Sequence, residues 1–268
     1  MAYLTLPDGL PLYYEDDGQG PAVVLIHGWT MNGTFFAGNV PALSAAHRVI
    51  NVDLRGHGQS GKTDAGHTIA QYAADVHYLI RALDLGKVSL VGWSMGTAVI
   101  LSFVEQFGTS MVRSTALVDQ SPRFLSAPDW DFSLFGSYTP ADITELVQGM
   151  HHARPLVAKP FIADCFADTP PDEVVDAVYA ETTKMSTGAA VAVWFDMAYA
   201  DYRAVLPAVD VPTLLAYGAR SKIFPGDLDA WIAERLPDAQ VVSFEQSGHA
   251  PFSEEPELFN EKLLGFLG

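Results

Sequence analysis

The chain has 268 residues, 49% of them apolar, and carries 32 acidic against 15 basic side chains for a formal net charge of −17. That size and apolar content suit one large α/β domain. The charge argues against nucleic acid and anionic membrane surfaces, both of which attract Lys and Arg, and no apolar run nears the ~20 residues of a membrane span. Met1 to Gly9 show neither the basic nor the apolar region of a signal peptide, so a cytoplasmic location is expected. The single cysteine, Cys165, leaves no intrachain disulfide to form.

Short apolar runs alternate with amphipathic stretches along the chain. Residues 22–26, 48–53, 87–93, 114–119, 212–218 and 240–244 read as strands. Their continuous apolar character marks a mostly parallel sheet buried on both faces. Between them, Ile69, Tyr72, Val76, Leu79, Ile80 and Leu83 recur near a 3.6-residue period, with Thr68 placed to cap a helix over 68–84. Residues 96–107, 227–236 and 256–266 read as further helices, which predicts an α/β sheet covered on both sides. The stretch 125–204 breaks the alternation: helices are expected near 140–152, 171–185 and 188–200, with Pro140 after Thr139 as a helix start. It is rich in aromatics, including Trp130, Phe132, Phe135, Tyr138, Phe161, Phe166, Trp194 and Phe195.

Gly92-Trp93-Ser94-Met95-Gly96 fits G-x-S-x-G and lies between an apolar strand and a helix. A sharp strand-to-helix turn there lifts a serine clear of the sheet, onto a helix N-terminus that favours developing negative charge. A serine hydroxyl is nearly inert at neutral pH and needs a base. His249, in Ser247-Gly248-His249-Ala250-Pro251, is the candidate, because imidazole titrates near neutrality.

With His27-Gly28-Trp29 after the run 22–26 and Asp53-Leu54-Arg55-Gly56-His57-Gly58-Gln59-Ser60 after the run 48–53, these motifs resemble the α/β-hydrolase superfamily over nearly the whole chain. The resemblance implies the α/β-hydrolase fold: a mostly parallel sheet flanked by helices, made by residues 1–124 and 205–268, with 125–204 as a helical cap. It implies Ser94 as nucleophile, His249 as base, and an oxyanion hole from the backbone N–H groups of Trp29 and Met95. His57, the rival base, lies in a turn that the family uses structurally. Most members place the triad acid after the strand matching 212–217, where this chain has Ser221, which carries no carboxylate. Others take it from the end of the strand after the nucleophile helix, and Asp119 stands there. Asp227, Asp229 and Glu245 remain alternatives, as does Asp119 acting only as a turn cap.

Two other motifs point elsewhere. Gly56-His57-Gly58-Gln59-Ser60-Gly61-Lys62-Thr63 satisfies G-x-x-x-x-G-K-T, yet Asp64 to His67 follow where a phosphate-binding loop opens a helix. His151-His152 point about 100° apart on a helix and do not chelate one metal together. No cofactor or metal is expected. A small hydrophobic ester or lactone, uncharged or weakly acidic, is the expected substrate, in a pocket of Trp29, Trp93, Phe135 and Trp194. A non-hydrolytic or other-reaction member of the fold, such as a carbon–carbon bond hydrolase, perhydrolase, lyase or ligand receptor, is the alternative, and the sequence does not reveal an oligomeric state.

Overall fold

The computed structural model describes residues 1–224 and 226–268. Eight strands form one sheet: β1 (Ala2–Thr5), β2 (Pro11–Asp17), β3 (Ala22–Ile26), β4 (Arg48–Val52), β5 (Val88–Trp93), β6 (Val112–Val118), β7 (Thr213–Gly218) and β8 (Ala239–Phe244). Their spatial order is β1-β2-β4-β3-β5-β6-β7-β8, parallel from β4 onward and antiparallel where β1, β2 and β4 meet. The helices are α1 (Val40–Leu43), α2 (Ile69–Ala82), α3 (Met95–Phe107), α4 (Pro140–Asp164), α5 (Asp172–Thr182), α6 (Thr187–Tyr199), α7 (Leu228–Ala233), α8 (Pro251–Glu254) and α9 (Pro256–Leu267). Among the described residues no helix is long and apolar enough to cross a membrane.

The six runs read as strands are six of the eight. Five of them are buried through most of their length, because the sheet packs α2 and α3 on one face and α8 and α9 on the other, while the edge strand β8 buries only Phe244. β1 and β2 were not expected: β1 is half exposed and β2 ends in Glu15-Asp16-Asp17, so neither shows a continuous apolar run. They form an antiparallel edge, where only one face needs covering. Thr68 caps α2 by accepting from the Gln71 N–H, 3.1 Å away.

The segment between β6 and β7 carries α4, α5 and α6. The first continues to Asp164 rather than stopping near 152: Ala153 leaves helical geometry (φ −155°, ψ 59°), and the helix resumes at Arg154-Pro155. Pro155 then stands in the first turn of the resumed helix, where its missing N–H is not needed.

The turn after β4 is held from inside. Asp53 accepts from the N–H groups of Gly33 and Gln59, both at 2.7 Å, and Arg55 is buried in a two-pronged ion pair with Asp75 at 2.8 and 2.9 Å. Lys62 donates to the carbonyl oxygens of Gly56, His57 and Gly58. Carbonyls face that ammonium, so the turn offers no cradle of N–H groups for phosphate, and α2 does not begin until Ile69.

His27 and His57 stack inside the same region, with ring centroids 4.8 Å apart and no exposed surface on either. His27 Nδ1 donates to the Gly28 carbonyl, and its Nε2 accepts from the Leu54 N–H, which fixes a neutral tautomer. His57 Nδ1 donates to the Arg55 carbonyl, and its buried Nε2 has no partner among the described residues. Burial pushes both pKa values down, well down for His57, where His27 adds to the effect. Groups whose folded pKa lies below the unfolded value of about 6.5 contribute stability that is complete above that pH and is lost as pH falls beneath it. The melting temperature should therefore drop between pH 7 and pH 5, and His57→Gln should be less stable at pH 7 yet show a shallower decline. A calorimetric pH series checks both; equal slopes for the two proteins would contradict it.

Candidate active site

β5 ends at Trp93, and the chain turns into α3 at Ser94, whose backbone is held at φ 53°, ψ −121°. That conformation is costly for a residue with a side chain and persists only where the surroundings impose it. Gly92 and Gly96 permit it: a Cβ on Gly92 would collide with the Gly96 carbonyl, and one on Gly96 with the carbonyl of Ile26 at the end of β3. From Val88 to Val104 every residue is buried except Ser94, which is half-buried. The fold thus hides the whole strand and the first half of the helix, and leaves one hydroxyl reachable. Met95 opens α3, so its N–H has no intrahelical acceptor. Gly28-Trp29 lies beside the turn: a Cβ on Gly28 would stand 3.4 Å from the Ser94 Cβ.

His249 follows β8 and is 1% exposed. Its Nδ1 lies 2.8 Å from Asp119 Oδ1, and Asp119, just past β6, has no exposed surface. Asp119 is the acid that the structure brings to His249. Asp227 and Glu245 are exposed, and Asp229 caps its own helix start through the Ala230 N–H. Asp119 also has a positive φ of 42°, a second strained non-glycine at the same end of the sheet. Its Oδ2 accepts from the Gly218 N–H at 3.1 Å, and its Oδ1 accepts from Ser221 Oγ at 3.0 Å. His249 Nε2 is buried without a partner among the described residues.

Of the four aromatics expected around the site, Trp29, Trp194 and Phe135 share one cluster. Trp29 and Trp194 have ring centroids 4.5 Å apart, Phe161 packs edge-on against both, and Phe135 meets Phe161 at 6.3 Å. Phe124 and Phe224 continue the cluster to within 5.8 Å of the His249 ring. Two indoles are pinned by hydrogen bonds, Trp29 Nε1 to the Ala190 carbonyl and Trp194 Nε1 to the Tyr138 hydroxyl, both at 2.8 Å. Burial pushes the Tyr138 pKa up to about 12, so that hydroxyl stays neutral.

Trp93 departs from the expectation. Alternation along β5 turns it, with Val91, to the opposite face of the sheet. There it packs on Phe252 and helps line a separate apolar cavity of about 250 Å³ with Met31, Phe35, Cys165 and Phe166. Its indole Nε1 donates to the His249 carbonyl at 2.8 Å, so Trp93 braces the histidine from behind. His57 lies in the buried stack with His27, bonded to Arg55.

A family model described as the alpha/beta hydrolase fold matches residues 21–256. The chain belongs to the α/β-hydrolase family. Among relatives of this α/β hydrolase, a non-heme chloroperoxidase of Kitasatospora aureofaciens is 30% identical, the match covering 100% of this chain and 99% of that protein. A pimeloyl-[acyl-carrier protein] methyl ester esterase of Chromobacterium violaceum is 31% identical over 96% of this chain and 98% of its own. A solved esterase structure from Exiguobacterium antarcticum superposes with a TM-score of 0.92 at 27% identity, covering 98% of both chains.

The loop that carries His249 in this α/β hydrolase has anchors that sequence reasoning missed. Glu254 Oε1 accepts from the Gly248 N–H and its Oε2 from the Ala167 N–H, both at 2.8 Å. Glu255 Oε2 accepts from the Gln246 N–H and from Ser247 Oγ, and the His249 N–H donates to the Cys165 carbonyl at the end of α4. The acids lie five and six residues past the histidine, a spacing that reads simply as a charged helix start. Burial raises the Glu254 pKa, and its bonds to backbone N–H groups oppose that rise. A hydrogen bond to a charged group is worth about 1.5–3 kcal/mol. Glu254→Ala should therefore lower the melting temperature by roughly 5 °C and speed amide exchange at Gly248 and Ala167. Thermal melting with residue-resolved hydrogen exchange tests this, and unchanged protection at those two amides would contradict it.

Proposed function

We propose that this α/β hydrolase cleaves small, uncharged, hydrophobic carboxylic esters or lactones through an acyl-enzyme on Ser94, with His249 as general base and Asp119 as its orienting acid. The observation that carries the proposal is a buried imidazole held by a buried carboxylate at 2.8 Å, at the sheet edge where Ser94 alone between Val88 and Val104 is not buried. Ser94 Oγ attacks the carbonyl carbon while His249 Nε2 takes its proton. The Trp29 and Met95 N–H groups receive the oxyanion at the N-terminus of α3. The imidazolium, stabilised by Asp119, gives the proton to the departing alkoxide. Water, deprotonated by the same nitrogen, then attacks the acyl group and frees the acid and Ser94. In a lactone, the released alkoxide stays tethered to the acyl chain, and the second step frees a single hydroxy acid.

The class of substrate is supported by what the pocket offers. The cluster of Trp29, Trp194, Phe161, Phe135, Phe124 and Phe224 runs up to His249. The four cations of residues 125–204 are all engaged. Arg154 donates to the Thr182 and Met185 carbonyls, and Lys159, Lys184 and Arg203 pair with Asp176, Glu181 and Asp201. With a net charge of −17, a polyanionic substrate such as a coenzyme A ester is disfavoured. The proteins named chloroperoxidase among the relatives favour a second reading, in which hydrogen peroxide replaces water in the second step and releases a peracid.

Hydrolysis of p-nitrophenyl butyrate tests the proposal. Ser94→Ala should fall to the uncatalysed rate, and Asp119→Asn should lose about 10³–10⁴-fold in kcat, the scale of a misoriented histidine. A wild-type rate no better than that of Ser94→Ala would contradict it. Asp119→Asn retaining most activity would remove Asp119 from the mechanism. Peracid exceeding free acid when peroxide is added to the same assay would favour the second reading.

A further inference from the structure

Position 221, where most α/β hydrolases carry the triad acid, holds a hydroxyl here, and that hydroxyl is bonded to the carboxylate that stands in for it. We propose that Ser221 is a positioning residue for Asp119, resting on the triad proposed above: its Oγ–H holds Oδ1 of the carboxylate on the imidazole of His249.

The geometry is specific. Asp119 Oδ1 lies 3.0 Å from Ser221 Oγ and 2.8 Å from His249 Nδ1, while Oδ2 lies 3.1 Å from the Gly218 N–H. A carboxylate oxygen has two lone-pair directions, so serine and histidine together fill those of Oδ1. With Gly218 on the other oxygen, the carboxylate plane cannot turn without breaking bonds at both ends. Such fixing is needed because Asp119 sits in left-handed backbone at φ 42°, where its side-chain direction is not supported by a regular strand. Ser221 is itself held in a turn: its N–H donates to the Gly218 carbonyl at 3.1 Å. Its remaining contacts, from the N–H groups of Ile223 and Phe224 to Oγ, are longer, at 3.4 and 3.5 Å. The short bond of this side chain is the one to the carboxylate.

A hydroxyl also suits the position electrostatically. A carboxyl group at 221 beside Asp119 would put two like charges about 3 Å apart, and such a pair retains a proton. Serine donates one hydrogen bond and brings no second charge beside Asp119.

The rival role for Ser221 is to shape the loop that carries Phe224, whose ring lies 5.8 Å from that of His249. A mutant cycle separates the two. Steady-state hydrolysis of p-nitrophenyl butyrate is measured for Ser221→Ala and Ser221→Thr, with Ser94→Ala as the blank. The acylation rate under excess enzyme is measured for Asp119→Ala and for Asp119→Ala with Ser221→Ala. Loss of a charge-assisted hydrogen bond predicts that Ser221→Ala lowers kcat about tenfold, with KM within twofold. Ser221→Thr should recover most of that loss, and the two proteins lacking Asp119 should differ by less than twofold, because the group that Ser221 acts through is gone. A tenfold loss that persists on the background lacking Asp119, or a threonine variant as slow as alanine, overturns the proposal in favour of loop shaping. An unchanged kcat for Ser221→Ala overturns it outright while leaving the triad intact. A Ser94→Ala protein as active as wild type would instead remove the triad on which it rests.

Discussion

The contact between Asp119 Oδ1 and His249 Nδ1, 2.8 Å long and sealed from solvent, is the interaction around which this end of the molecule is organised. Its partners come from the far ends of two strands that do not touch, β6 and β8, with β7 between them. Parallel order brings the C-terminal ends of β5 to β8 to one edge, so residues 155 positions apart in sequence, Ser94 and His249, follow strands that end on the same side. The middle strand is not a spacer: its last residue, Gly218, gives an N–H to the acid, and Ser221 just beyond gives a hydroxyl.

A buried charge-bearing pair is costly to hold unless its remaining hydrogen-bonding positions are filled. The surroundings do this from several directions. Trp93 supports the His249 carbonyl from the opposite face of the sheet, Cys165 accepts its N–H, and Glu254 and Glu255 tie down the residues just before it. The strain at Ser94 and Asp119 is confined to this edge, while the turn around Asp53 and Arg55 is closed by bonds to its own neighbours. Rigidity below the site and one reachable hydroxyl within it are two consequences of the same packing.

Much of this was legible in the sequence, and the limits have physical causes. Strands buried on both faces leave continuous apolar runs, which makes five of them legible, and the edge strand β8 still carries Val241-Val242; β1 is half exposed and β2 ends in acids, so neither is legible. The serine turn is legible because its glycines are demanded by collisions with Gly96 and Ile26. The pairing of Asp119 with His249 could be weighed but not decided, because it depends on where two strand ends meet. The same is true of Ser221, which in sequence is only a missing acid. The direction of Trp93 is set by alternation along β5, which assigns it to the face of Val91, away from Trp29 and Trp194. The phosphate-loop pattern at 56–63 misleads because pattern alone does not say whether N–H groups or carbonyls face the lysine; here the carbonyls do.

The proposed reaction requires a buried carboxylate at 119 to make Ser94 a nucleophile through His249. Phosphonylation by an activated p-nitrophenyl phosphonate reads this without any assumption about substrate. Release of p-nitrophenol gives the rate, and peptide mass mapping gives the site. The account predicts one adduct per chain, on Ser94, forming roughly 10³-fold or more slowly in Asp119→Asn. An adduct elsewhere, or equal rates in the two proteins, would contradict it.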